Sequence, residues 1–226
     1  MDTDKTPNYD SLMKSLADCR LYAFLDTLYL SGRAPQNVAE QLCEGGADLI
    51  QLRAKQSSIA EIRGMAEKIL PITRAAGVGL VINDHLSLAQ ELGADYCHLG
   101  QEDFFGSGYS HVSQLSNLNP HVRIGLSTHT PEQGKLALAA GADYVAIGSV
   151  YATDTKPTAK PATLDYVRWA AANVGIPWFA IGGISLQNLE HVMAAGAQRV
   201  CVVSAILKSD DVVGACRAFK ERMGKK

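Results

Sequence analysis

Gln51, Arg53 and Lys55 alternate along Gln51-Leu52-Arg53-Ala54-Lys55, a run that follows the apolar pair Leu49-Ile50 and precedes Ser57-Ser58. On an extended chain alternate side chains share a face, so three long polar groups, two of them cationic, project together. Cations gathered on the inner side of a strand are costly until an anion satisfies them, and a phosphate or diphosphate is the natural guest. The competing reading is a strand edge whose cations reach solvent or neighbouring carboxylates. Asn83-Asp84 and Gln101-Glu102-Asp103 follow two further apolar runs. If Asp84 and Asp103 lie on neighbouring strand ends they suit a hard cation such as Mg²⁺, which takes one or two carboxylates plus substrate phosphate oxygens. Taken singly, Asp84 would serve as a cap for a helix over Leu86 to Leu92, and Asp103 as a solvated loop acid.

Further along, Ser127-Thr128-His129-Thr130 offers the Ser127 hydroxyl to a phosphate oxygen. His129 invites a general-base role that nothing else in the chain requires, and Thr130 is better explained as a helix cap. The stretch from Gly148 to Pro157 carries Thr153, Thr155 and Lys156 and runs into the restricting prolines at 157 and 161. It reads either as a flexible surface loop or as a lid that closes over an anionic ligand. Finally, Gly182-Gly183 and Val203-Ser204 bring glycine backbone and a helix start close together, an arrangement that receives a phosphate through N–H groups. A tight turn into a helix capped by Ser185 is the plainer alternative. Two anion seats result: one rich in cations and carboxylates, fitting a Mg²⁺ diphosphate, and one built from backbone, fitting a monophosphate.

These groups need a scaffold that aims them at one place. Gly46-Ala47-Asp48, Gly93-Ala94-Asp95, Gly141-Ala142-Asp143 and Gly196-Ala197-Gln198 recur at intervals of roughly 50 residues, each ending a helical stretch and opening an apolar run. Four strands follow these boxes, at Leu49, Tyr96, Tyr144 and Val200. Four others, Tyr22 to Asp26, Gly79 to Asn83, Val122 to Ser127 and Trp178 to Gly182, complete an alternating series. Ser58 with Glu61 and Thr130 with Gln133 fit the capping box, and Pro71 should kink or end the helix that begins after Ser58. Eight strand–helix units at this length imply a single (β/α)8 barrel, an α/β TIM-barrel fold, over residues 21–226. A polar tail and a short helix around Tyr9 to Cys19 precede it. An open flavodoxin-like or Rossmann sheet is the runner-up, but no GxGxxG follows the first strand, which continues Asp26-Thr27-Leu28-Tyr29. The segment from Phe104 to Asn119 reads as a long loop with one weak helix.

Composition narrows the partners. The 226 residues include 21 basic and 23 acidic ones, dispersed to a net charge of -2, which makes no electrostatic case for nucleic acid or a membrane surface. No apolar stretch approaches the ~20 residues of a membrane span, and the first residues lack a signal-peptide pattern. Five widely spaced cysteines with no CxxC read as reduced core residues of a cytoplasmic protein. Small-molecule substrates are the expected partners, and a homo-oligomer is left open.

The ordered set QLRAK, IND, HLGQED, GLSTHT, GSVYATDTKP, AIGGI and VVSAI, spaced as in a barrel, resembles the thiamine phosphate synthase family over nearly all of the chain after Tyr22. Members join a 4-amino-2-methyl-5-hydroxymethylpyrimidine diphosphate to a hydroxyethylthiazole phosphate, releasing diphosphate. The resemblance implies that Gln51, Arg53, Lys55, Asn83, Ser127 and Lys156 hold the pyrimidine diphosphate, with Arg53, Lys55, Ser127 and Lys156 acting in catalysis. It further implies Mg²⁺ on Asp84 and Asp103, and the thiazole phosphate on Thr153, Thr155, Gly183, Val203 and Ser204. Ser149 and Ala152 depart from prolines common in the family's loop. Two rivals are a thiazole tautomerase, with His129 as proton shuttle, and a non-catalytic barrel that binds thiamine phosphate as a regulator.

Overall fold

A computed structural model describes residues 14–115, 121–153 and 162–224. Its strands are β1 (Leu21–Asp26), β2 (Leu49–Arg53), β3 (Gly79–Asn83), β4 (Tyr96–Leu99), β5 (Arg123–Thr128), β6 (Tyr144–Gly148), β7 (Trp178–Ile181) and β8 (Val200–Val202). They close in sequence order into one parallel barrel, β8 pairing back onto β1. Nearly every strand residue is buried, as a sheet packed on both faces requires. Around it lie α1 (Pro35–Glu44), α2 (Ile59–Ala75), α3 (Leu86–Leu92), α4 (Gln101–Gly106), α5 (Pro131–Ala139), α6 (Thr163–Asn173), α7 (Leu189–Ala194), α8 (Ser204–Leu207) and α9 (Val212–Gly224). Their apolar stripes face the sheet at helical spacing, as with Val212, Cys216, Phe219 and Met223 on α9.

Local chemistry accounts for the boundaries, with five departures from expectation. Ser58 and Glu61 form a reciprocal capping box on α2, whereas at α5 Thr130 accepts from the Gln133 N–H and the Gln133 side chain turns to the His129 N–H instead. Pro71 does not end α2, which runs on to Ala75; Pro71 and Glu67, whose carbonyl the ring frees, both lie on the exposed side of the helix, so the lost bond is not buried in the core. Ser185 is not a side-chain cap: residues 186–188 form a turn, and the Ser185 carbonyl accepts from the Leu189 N–H at 2.9 Å as α7 begins. Gln101 to Gly106 is helical, so Asp103 sits in the first turn of α4 and is no loop acid. Of the helix expected around Tyr9 to Cys19, residues before 14 lie outside the described ones, and the remainder makes only a turn at 16–18.

The repeated boxes tie the lower end of the barrel. Gly46, Gly93, Gly141 and Gly196 all have positive φ, the conformation that lets a helix stop and the chain turn into a strand. Each following aspartate then bonds the start of the strand before it. Asp48 accepts from the Leu21 N–H at 3.0 Å, Asp95 from Leu80 at 2.9 Å and Asp143 from Ile124 at 2.7 Å. Asp48 also takes the Arg20 N–H and the ammonium groups of Lys14 and Lys220, each of the latter at 2.6 Å. Burial alone would raise its pKa, but the Leu21 N–H, the two lysines and the Arg20 N–H together hold it below the ordinary carboxylate value.

Higher in the barrel, Tyr22, Tyr96, Tyr144 and Phe179 fill the interior edge to face, with ring centroids 5.3–6.1 Å apart. Room for Tyr144 comes from Gly125, its register partner on β5: a Cβ there would lie 2.1 Å from Cζ of the phenol.

Candidate active site

The carboxyl ends of the strands open into one cavity of about 240 Å³. Its walls include Gln51 and Arg53 from the second strand with Lys55 just beyond it, Asn83 at the end of the third with Asp84 next, Asp103 after the fourth and Ser127 on the fifth. Thr153, Gly183, Val203 and Ser204 complete the opposite side. Every described residue singled out in the sequence therefore meets at one rim; Thr155 and Lys156 lie outside the described residues.

Both second-strand cations already have partners, which corrects the picture of a cluster left unsatisfied. Arg53 Nη1 donates to Asp26 Oδ2 at 2.5 Å, and Asp26, wholly buried at the end of β1, also accepts from the Leu28 N–H at 3.0 Å. Asp26 and Arg53 are register partners, so adjacent strands place the acid beside the guanidinium. Lys55 pairs with Asp84, whose carboxylate also accepts from Asn83 Nδ2 at 2.7 Å. Asp84 is not the cap of α3: that position belongs to His85, without a side-chain bond. Instead Asp84 stands at φ +64°, a left-handed conformation that aspartate tolerates better than most residues, while its N–H bonds the His98 carbonyl at 2.9 Å.

Across the mouth, Gly182 and Gly183 have φ of +105° and +61°. A Cβ on Gly182 would lie 2.5 Å from Ser149 Cα, and one on Gly183 2.5 Å from the Ala152 carbonyl, so the loops after β6 and β7 touch directly. The Tyr151 N–H bonds the Gly182 carbonyl at 3.0 Å, which fixes the start of the loop carrying Thr153. His129 also lines the cavity; because a carbonyl only accepts, its bond to the Gly148 oxygen places a proton on Nδ1.

Sequence reasoning passed over Asp26, Tyr22, Tyr144 and His98. The Gln51 amide, 1% exposed, donates from Nε2 to the Tyr22 hydroxyl at 2.5 Å; Tyr22 and Tyr144 hydroxyls lie 3.2 Å apart; and Tyr144 meets His98 Nδ1 at 3.1 Å. The one available signal was polarity inside apolar strands: an acid closing Leu21 to Asp26, and a histidine between Cys97 and Leu99.

The described lining sets Arg53 and Lys55 against Asp84, Glu102 and Asp103, so carboxylates outnumber cations. Among the described residues no three His, Cys, Asp or Glu side chains gather into an all-protein metal cage. Two hard carboxylates on one wall do suit a Mg²⁺ that shares substrate oxygens, the arrangement that ion favours.

A parallel eight-stranded barrel with a polar mouth at the carboxyl ends of its strands is the architecture of an enzyme, here one of the transferase kind. The comparisons specify which. Residues 21–206 match the family model described as thiamine monophosphate synthase. A thiamine-phosphate synthase from Thermus thermophilus is 43% identical over 185 residues, covering 81% of this chain and 86% of its own length. One from Halalkalibacterium halodurans is 37% identical over 205 residues, covering 90% and 95%. A solved thiamine phosphate pyrophosphorylase from Pyrococcus furiosus superposes with a TM-score of 0.76 at 27% identity, covering 91% of this chain and 95% of its own. The chain belongs to the thiamine monophosphate synthase family.

Proposed function

We propose that the cavity couples 4-amino-2-methyl-5-hydroxymethylpyrimidine diphosphate to hydroxyethylthiazole phosphate, giving thiamine phosphate and diphosphate. The observation that carries this reading is the meeting, in one cavity, of a cation- and carboxylate-bearing wall with a glycine-rich wall. Gln51 and Asn83 hold the pyrimidine. Arg53, Lys55 and Ser127, with Lys156 from the sequence, bind the diphosphate. The bond between the methylene carbon and the diphosphate oxygen breaks with its electron pair leaving on oxygen, and the thiazole nitrogen supplies the pair for the new C–N bond. No general base is needed, so donors aimed at the departing oxygens matter most. Thr153 and Thr155, with the backbone of Gly183, Val203 and Ser204, seat the thiazole phosphate.

Asp84 and Asp103 would hold Mg²⁺, which supplies positive charge to an anionic substrate entering a wall where, among the described residues, acids outnumber cations. In the free protein Lys55 occupies the Asp84 carboxylate, so ligand binding is an exchange in which Lys55 turns from acid to phosphate. Among the described residues no helix is long and apolar enough to cross a membrane, and all five cysteines are free thiols. A reducing cytoplasmic setting suits such a chain, with residues 21–226 as catalytic domain, residues 1–20 as an appended segment, and self-association a matter for sedimentation.

Diphosphate release, followed with both substrates and Mg²⁺, tests the reading. Production of diphosphate and thiamine phosphate together, abolished by chelation, is expected. Isomerisation of a thiazole phosphate carboxylate would point to a tautomerase, and tight binding of thiamine phosphate without turnover to a regulator.

A further inference from the structure

Behind Gln51 runs a line of polar groups, Tyr22, Tyr144 and His98, to which the reaction described above gives no role. Tyr22 and Tyr144 are 1% and 0% exposed, so each hydroxyl proton must find an acceptor within the barrel. With Gln51 Nε2 donating to Tyr22, one arrangement satisfies both hydroxyls: Tyr22 donates to Tyr144, and Tyr144 donates to His98 Nδ1. If Tyr144 donated to Tyr22 instead, the Tyr22 proton would be left buried beside two groups that both point donors at it. The line therefore has a direction, and His98 must be neutral with its proton on Nε2. At the other end, Gln51 Oε1 is buried without a hydrogen-bond partner, on a side chain that lines the cavity.

An amide oxygen left unmatched in the apo protein is an acceptor kept for a ligand, because burying it without a partner is unfavourable. We infer that Tyr22, Tyr144 and His98 are positioning residues, a directional chain that holds the Gln51 amide with Oε1 toward the cavity to accept the exocyclic N–H of an aminopyrimidine. The inference rests on the pyrimidine diphosphate reading. An unconstrained glutamine can present either end of its amide. Held by Tyr22 through Nε2, it presents an acceptor only, and so selects a ring bearing an amine over the same ring bearing hydrogen or a carbonyl at that position. Gly125 belongs to the same device, since any side chain there would displace the Tyr144 phenol.

The test crosses enzyme variants with substrate variants. Tyr144→Phe and Tyr22→Phe each delete one hydroxyl, and each is assayed with the aminopyrimidine diphosphate and with its analogue carrying hydrogen in place of the amine. Wild type should prefer the amine strongly in kcat/KM; both variants should lose about tenfold of that preference through KM for the pyrimidine, with KM for the thiazole phosphate unchanged. A purely structural loss would slow both substrates alike, and that outcome, in either variant, overturns the inference. Independently, ¹⁵N NMR of wild-type His98 at pH 7 should show the Nε2–H tautomer; the Nδ1–H tautomer overturns it even if neither variant folds. Wild type that forms no thiamine phosphate would remove the reaction itself, whereas an active wild type whose variants keep full discrimination would remove only the chain.

Discussion

Asp26→Asn isolates the role of the buried acid beside Arg53. The change keeps size and leaves an oxygen for the Leu28 N–H, but it removes the charge that the guanidinium now meets at 2.5 Å. Deleting one partner of a fully buried pair typically costs about 3–5 kcal/mol. Here Arg53 retains 16% side-chain exposure and can turn toward the cavity, which lowers the expected loss to about 2–3 kcal/mol. For a chain of this size that corresponds to a thermal midpoint lower by roughly 5–10 °C. The freed guanidinium should also prefer an anion, so inorganic diphosphate with Mg²⁺ should raise the midpoint of the variant more than that of wild type. Turnover should fall about tenfold, because an arginine that can swing no longer presents its donors in one place. Scanning calorimetry with and without diphosphate, together with the diphosphate-release assay, reads all three. A midpoint within a degree of wild type, equal diphosphate shifts and unchanged kcat would show that Arg53 is positioned by something other than Asp26.

Lys55→Ala and Lys156→Ala should each lower kcat about a hundredfold, the usual worth of one well-placed donor to a developing anion; near-normal turnover in either would refute its assigned place on the diphosphate. Gly125→Ala sets a methyl 2.1 Å from Tyr144 Cζ, so it should destabilise the barrel by about 1–3 kcal/mol in a denaturant titration and weaken selection of the amine, as the tyrosine variants do. Asp48, whose pKa is depressed in the fold, contributes stability that is fully present above its unfolded value near 3.8 and is lost as pH falls through the lower folded value. Acid unfolding of Asp48→Asn should therefore show a flatter dependence below about pH 4 than wild type, with stability at pH 7 already lower by about 2–3 kcal/mol. Equal slopes for the two proteins would contradict the four-partner account of this carboxylate.

The architecture was legible because its signal is repeated. Four Gly-Ala boxes about a quarter of the barrel apart, with apolar runs between capped helices, leave little choice of topology, and the strand limits shift by only a residue or so. The rim was legible for a related reason: polar residues that follow apolar runs must emerge at the carboxyl ends of the strands. Pairings between neighbouring strands were harder. Asp26 lies at the close of a strand with no other charged group, and its meaning appears only when register sets it opposite Arg53. Tyr22 and Tyr144 are 122 residues apart, and nothing local distinguishes them from core aromatics until the barrel turns both hydroxyls inward. Helix starts such as that of α7 were misplaced because a turn held by the Asn188 side chain competes with a serine cap over the same four residues.

The lower rim carries its own lesson. Asp48 receives Lys14 from 34 residues upstream and Lys220 from 172 residues downstream, so a single carboxylate gathers both extremities of the described chain. The leading segment and the final helix are thereby joined through a third party as well as directly, the Arg20 guanidinium donating to the Met223 carbonyl at 2.9 Å. Trimming either one leaves an acid half-neutralised at the seam where β1 meets β2 and β8, and the damage would be felt at the opposite terminus before it reached the cavity at the carboxyl ends of the strands.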